Sequence, residues 1–179
     1  MVQGASSLIT LHGVLLDVLG VGVIILGKSG IGKTECALDL VMHGHRLVAD
    51  DLIQIEKESD GTLSGVSHGR GRHRMEIRGL GIIDIEKLFG ISAICDKRQI
   101  DLVIELVEQD EGIKDRMGLE EETYTVMDVA IARKRIPVRT GKNLAAIIEV
   151  AARDFLLKKR GYYAAREFER ELLEDLKKG

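Results

Sequence analysis

Two clusters in this chain carry residue types suited to phosphate chemistry. The first is Gly27-Lys28-Ser29-Gly30-Ile31-Gly32-Lys33-Thr34, which has the form G-x-x-x-x-G-K-T. Its glycines let successive backbone N–H groups turn toward one anion. A helix starting just after it adds its positive N-terminal end. In that setting Lys33 reaches the β and γ phosphates of a nucleotide, and the Thr34 hydroxyl binds magnesium. The second cluster is the adjacent pair Asp50-Asp51. Two carboxylates at one point can divide the labour of phosphoryl transfer. One reaches a metal through water and the other takes a proton from an incoming hydroxyl. A lone Asp-Asp is usually an acidic turn. Here it follows the glycine-rich loop by one helix and one strand, which favours the site. Residue types alone leave open which acid does which.

These clusters need elements to hold them. The apolar run from Val21 to Leu26 predicts a buried strand entering the loop. Glu35 to Met42 has helical spacing, and Gly44 is a suitable left-handed cap. Upstream, Leu11 to Val18 reads as a strand that returns through Leu19-Gly20, giving a hairpin that runs into the loop. That pairing places His12 near the loop, although spacing alone suggests only a histidine at a strand end. Arg46 to Ala49 is a short strand delivering Asp50-Asp51. Leu52 to Gly65 predicts a second hairpin turning at Asp60-Gly61. In 75–84, charges set between apolar residues and two glycines imply charged groups held at a packed surface. One helical turn is expected at 86–89, with strands at 91–94, 99–107 and 124–132.

The polar stretch 109–122 reads as a loop. Arg133 to Lys142, which holds the only proline, reads as a cationic turn. Asn143 opens a helix that ends at Gly161, and a charge-rich helix with a narrow apolar stripe covers 162–178. The basic stretch 68–74 reads as a solvated loop or a contact for an acidic partner.

Composition limits the rest. The chain has 179 residues, 45% hydrophobic but only 3% aromatic, so its core must be aliphatic. A formal net charge of −3 gives no reason to expect nucleic acid or a membrane surface as partner. No apolar run has membrane-span length and no secretion signal is visible. Cys36 and Cys95 are far apart and are expected reduced and packed, as in a cytoplasmic protein. One catalytic domain is expected over 1–179.

The motifs together resemble the catalytic C-terminal domain of the HPr kinase/phosphorylase family. The resemblance runs from about Leu11 to about Phe168. It rests on His12-Gly13-Val14-Leu15, on 27–34, and on Leu47-Val48-Ala49-Asp50-Asp51. It rests also on Met75-Glu76-Ile77-Arg78-Gly79-Leu80-Gly81-Ile82 and on 138–150 with its Gly141-Lys142-Asn143-Leu144 start. The segment 76–82 discriminates far better than the loop. Family members usually carry a separate N-terminal domain, which is not expected within these 179 residues. The chain has Lys28 where the family often has an acid, and Thr34 where it has serine. The stretch from Arg70 to Arg74 is more basic than the family leads one to expect.

The resemblance implies an α/β fold like that of phosphoenolpyruvate carboxykinase. In that fold a mixed β-sheet surrounds the phosphate loop, a hairpin leads into it, and helices close the C-terminus. It implies a homohexamer acting on HPr in carbon catabolite regulation. Serine of HPr is phosphorylated with ATP or pyrophosphate and Mg2+, and phosphoserine is attacked by inorganic phosphate to release pyrophosphate. Carried over by position, Asp51 is the base, and the acid in reverse. Lys33 holds phosphates, Thr34 and Glu76 bind magnesium, and His12 and Arg116 lie near the transferring phosphate. Pro137 to Lys142 matches a segment linked to dephosphorylation.

Three other readings compete. A GTPase switch needs N-K-x-D, which is absent, and Asp17-Val18-Leu19-Gly20 precedes the loop, the wrong order for its D-x-x-G. A nucleotide-binding regulatory module without catalysis has no use for the Asp50-Asp51 pair. A small-molecule kinase would share the loop.

Overall fold

The computed structural model describes residues 8–69, 72–108, 118–139 and 141–178. Its centre is a mixed six-stranded sheet in the order β11-β12-β10-β3-β2-β4. These strands are β2 (Val14–Val18), β3 (Val21–Gly27), β4 (Arg46–Ala49), β10 (Leu102–Glu108), β11 (Glu122–Val126) and β12 (Val129–Val138). A four-stranded antiparallel sheet contains β1 (Leu8–His12), β5 (Leu52–Lys57), β6 (Leu63–Ser67) and β9 (Lys97–Gln99), in the order β1-β5-β6-β9. A separate hairpin pairs β7 (Arg74–Ile77) with β8 (Gly81–Asp84). The helices are α1 (Lys33–Met42), α2 (Ile85–Phe89), α3 (Leu144–Lys159) and α4 (Ala164–Lys178).

Period-two alternation along the central strands builds two cores. Leu16, Val23, Ile25 and Ile104 face one way and bury against Ala37 and Leu40 of α1 and Ala145 and Ile148 of α3. Leu15, Ile24 and Val103 face the other way and meet Ile53, Ile55 and Leu63 of the smaller sheet. The central sheet is thus covered on both faces, which explains its nearly continuous apolar strands. No helix among the described residues is long and apolar enough to cross a membrane.

The hairpin into the loop forms as expected. β2 pairs antiparallel with β3 across Leu19 and Gly20, whose φ angles of 56° and 83° are both left-handed, as a two-residue hairpin turn requires. The Asp17 carboxylate accepts the Gly20 N–H at 2.8 Å and fixes that turn. The 52–65 hairpin also forms, as β5 and β6. α1 ends where Gly44 takes φ 92° and the N–H of His45 reaches the Leu40 carbonyl at 3.0 Å. Asn143 caps α3, accepting the Ala146 N–H at 3.0 Å. The single turn at 86–89 and the last helix are present as α2 and α4.

Four local expectations fail. Leu11 to Val18 is not one strand: Leu11 and His12 belong to β1 in the smaller sheet, and Gly13 is the break. A Cβ at Gly13 would stand 2.8 Å from the Ile25 carbonyl oxygen, so only glycine allows the chain to change sheets there. Residues 91–94 are not a strand; Ile91–Ala93 forms a 3-10 turn, and Ile94 makes only an isolated bridge to Leu47. The strand expected at 99–107 is divided, because the Ile100 N–H bonds Leu63 in one sheet while the Asp101 N–H bonds Gly22 in the other.

Fourth, Tyr124 to Ala132 is a hairpin, turning at Met127 and Asp128 with φ 49° and 63°. Its second strand runs on to Val138, so the segment read as a cationic turn is mostly strand. Pro137 is tolerated because β11 pairs with β12 only as far as Arg133, so among the described residues nothing on that side needs an N–H from position 137. The expected loop at 109–122 lies largely outside the described residues, as does part of the basic stretch at 68–74.

Candidate active site

β3, β10 and β12 run parallel and end at one edge of the central sheet, with Leu106 opposite Gly27 and Val107 opposite Pro137. The glycine-rich loop leaves this edge from β3. Gly30 and Gly32 take φ 78° and 99°, a left-handed backbone that brings successive amides to one side. Gly32 is the N-cap of α1 and offers no side chain, and the first helical bond is Cys36 N–H to the Gly32 carbonyl. The first-turn amides therefore lack intrahelical acceptors and add to the positive helix end. Lys33 folds back over the loop, its Nζ donating to the carbonyls of Gly27 at 2.9 Å and Lys28 at 3.0 Å. Lys28 points the other way and pairs with Glu108 at 3.3 Å.

The acidic pair arrives from the neighbouring edge strand. Leu16 pairs with Leu47 but Leu15 pairs with Ala49, so Val48 is an extra residue in β4. A bulge of this kind bends the strand and re-aims the residues beyond it. Asp50 and Asp51 then separate in environment. Asp50 is half-buried and its Oδ1 accepts the Thr34 hydroxyl at 3.1 Å. The backbone N–H of Glu76 also donates to the Asp50 carboxylate. Burial raises the Asp50 carboxyl to about 6, and the nearby Asp51 adds to the rise, while the Thr34 and Glu76 hydrogen bonds oppose it.

Asp51 is exposed. Its φ of 69° is left-handed, a conformation aspartate tolerates better than most residues, and the Gly13 N–H holds its carbonyl at 3.0 Å. His12 Nδ1 lies 3.6 Å from Asp51 Oδ1. The break at Gly13 therefore places His12 and Asp51 side by side at the mouth of the site.

A cleft of about 510 Å³ joins these parts. Ser29, Gly30, Gly32, Lys33, Thr34, Asp50, Asp51 and Glu76 line it. A second cleft of about 570 Å³, on the other side of the loop, is lined by His12, Gly27, Lys28 and Ile31 together with Glu105 and Tyr124. The His12–Asp51 contact bridges the two. All expected site residues that the structure describes therefore meet around the loop. Arg116 lies outside the described residues.

Pro137 and Lys142 stand at the same sheet edge as the loop but with β10 between them, and neither lines either cleft. Residue reading missed Arg78, Gly79 and Gly81, which form the far wall of the first cleft. The signal was present in two glycines flanking Leu80, which turn β7 into β8 and carry Glu76 against Asp50.

The chain matches the family model described as HPr Serine kinase C-terminal domain over residues 4–172. It is 58% identical over 164 residues to the HPr kinase/phosphorylase of Geobacter sulfurreducens, covering 91% of this chain and 51% of that protein. It is 49% identical over 170 residues to the HPr kinase/phosphorylase of Bacillus subtilis, covering 94% of this chain and 55% of that one. The chain thus spans about half the length of the curated relatives it matches. The fold is similar to that of the Hpr(Ser) kinase/phosphatase from Coxiella burnetii, with a TM-score of 0.80 and 32% identity over 89% of this chain and 97% of that one. With a family match over nearly its whole length, and the loop, the acidic pair and Glu76 gathered around one cleft, this chain belongs to the HPr serine kinase C-terminal domain family.

Proposed function

We propose that this cleft is the active site of a protein-serine kinase/phosphorylase acting on HPr. The observation that carries the reading is the division between two adjacent acids. Asp50 is withdrawn onto Thr34, while Asp51 stands exposed above the loop beside His12. A purely nucleotide-binding module gains nothing from the second acid.

In the forward direction the serine hydroxyl of HPr gives its proton to Asp51 as its oxygen bonds to the γ-phosphorus of ATP. The bond from that phosphorus to the bridging oxygen breaks, leaving phosphoserine and ADP. In the reverse direction an oxygen of inorganic phosphate attacks the phosphoserine phosphorus. Protonated Asp51 returns the proton to the leaving serine oxygen, giving serine and pyrophosphate. Pyrophosphate serves as donor by the same loop contacts. His12, in contact with Asp51, orients its carboxylate and faces the transferring group. Lys33 leaves its two loop carbonyls to bind the β and γ oxygens, and Arg116 is assigned to the same phosphate.

The donor set suits magnesium. The Thr34 hydroxyl and the Asp50 and Glu76 carboxylates are hard oxygen ligands, and a half-buried carboxyl raised to about 6 gains from a cation beside it. Thr34 and Glu76 would hold the ion, with Asp50 behind Thr34, and the bound ion supplies charge neutralisation to the phosphates. The relatives are named HPr kinase/phosphorylase, which supports the substrate and both directions. A cytoplasmic homohexamer with the phosphoenolpyruvate carboxykinase type of fold completes the reading. Incubation with labelled ATP and HPr, then of phospho-HPr with phosphate, tests it. Label on a serine of HPr, and pyrophosphate in the second step, are expected. ATP binding without either product would leave a regulatory module.

A further inference from the structure

A cavity of about 190 Å³ lies away from the active-site clefts, between the first parts of β11 and β12, α3 and Tyr163 just before α4. Its floor is apolar, formed by Leu102, Ala132, Ala151 and Phe155. Lys134 and Lys158 both line it. The other cations around it are balanced. Arg133 pairs with Glu122 at 3.3 Å, Lys159 with Asp101 at 3.4 Å, and Lys158 itself with Asp154 at 3.2 Å. Lys134 is in ion-pair contact with no carboxylate among the described residues; Asp154 and Glu121 act on it from further away. Burial and the Lys158 ammonium beside it hold the Lys134 amine below its usual value. Tyr163 also lines the cavity, and the Arg166 guanidinium lies 4.1 Å from its ring.

An ammonium group half-buried above a hydrocarbon floor, with no carboxylate in contact, is poorly hydrated, so an anion beside it offsets that cost. Lysine presents a compact point charge, suited to a single oxygen-bearing head group. Paired acids on the rim disfavour a highly charged guest. An apolar cavity of about 150 Å³ takes a benzene-sized body.

We propose that this cavity binds a small monocarboxylic acid, its carboxylate accepted by Lys134 and Lys158 and its hydrocarbon body laid on Ala132, Ala151 and Phe155.

The probe is benzoate, with benzylamine and benzyl alcohol as matched cationic and neutral bodies. Each is titrated into the full chain by methyl NMR, reading Ala132 and Ala151. Saturable binding of benzoate is expected, with benzyl alcohol at least tenfold weaker and benzylamine not binding. Lys134→Gln should weaken benzoate at least tenfold, while Lys33→Ala should leave it unchanged. The comparison of the three probes on the unaltered chain stands even if Lys134→Gln fails to fold. Absence of saturation, equal affinity for benzyl alcohol, unchanged affinity in Lys134→Gln, or loss in Lys33→Ala would each overturn the assignment. None of these outcomes depends on the kinase reading of the other clefts.

Discussion

Asp50→Asn should stabilise the metal-free protein, and increasingly so as pH rises. Asp50 is raised from an ordinary 3.8 to about 6, chiefly because it is buried. A group whose folded value lies above its unfolded one binds more protons in the native state. Stability therefore falls as pH climbs from about 4 to about 6 and the penalty is complete above that. Moving a carboxyl from 3.8 to about 6 corresponds to about 3 kcal/mol. Because Asp50 keeps part of its surface in water, about 2 kcal/mol is the figure to expect. Asparagine is neutral throughout, and its carbonyl still accepts the Thr34 hydroxyl. Urea unfolding in chelator-treated buffer from pH 4 to 7.5 measures this directly. The gap between variant and parent should be near zero at the acid end and reach about 2 kcal/mol above pH 6. A gap that does not change with pH would refute the burial argument. Magnesium should shrink the gap at neutral pH, since a cation relieves the same penalty.

The geometry leads to three further outcomes. Lys33→Ala should remove both activities from a folded protein, costing on the order of 3 kcal/mol or more in the transition state, and near-normal turnover would take the loop out of the mechanism. Glu76→Gln should raise the magnesium requirement more than the HPr requirement, and an unchanged magnesium titration would leave Glu76 only as a backbone donor to Asp50. Alkylation of the native protein should stop at one thiol. Cys36 is buried, which pushes its thiol up to about 12, whereas Cys95 is half-exposed, so mass spectrometry should find the label on Cys95 alone.

The loop was legible because an anion cradle demands glycine at set places, and the residue types and spacing of 27–34 satisfy that demand on their own. The hairpin into it was legible from Leu19-Gly20, and the ends of α1 and α3 from Gly44 and Asn143. The separate roles of Asp50 and Asp51 were not. They depend on the bulge at Val48 and on the left-handed backbone of Asp51, and neither leaves a mark in composition. His12 was placed near the loop for a partly wrong reason. It reaches Asp51 because Gly13 breaks the strand, a close approach visible only once Ile25 is packed against it. The β11–β12 hairpin went unseen because Met127 and Asp128 turn it without glycine, proline or asparagine. The strand at Pro137 was misread because a proline signals a turn unless one knows that β11 stops pairing with β12 at Arg133.

The central claim is that Asp51 moves the proton in both directions of the reaction. The direct measurement is ATP affinity together with the rates of phosphorylation and phosphorolysis in Asp51→Asn. The phosphate contacts come from the loop, so ATP affinity should change little, while both rates fall by about a hundredfold or more. Retention of both rates within a few-fold in Asp51→Asn would contradict the account and pass the role to Asp50 or a water chain.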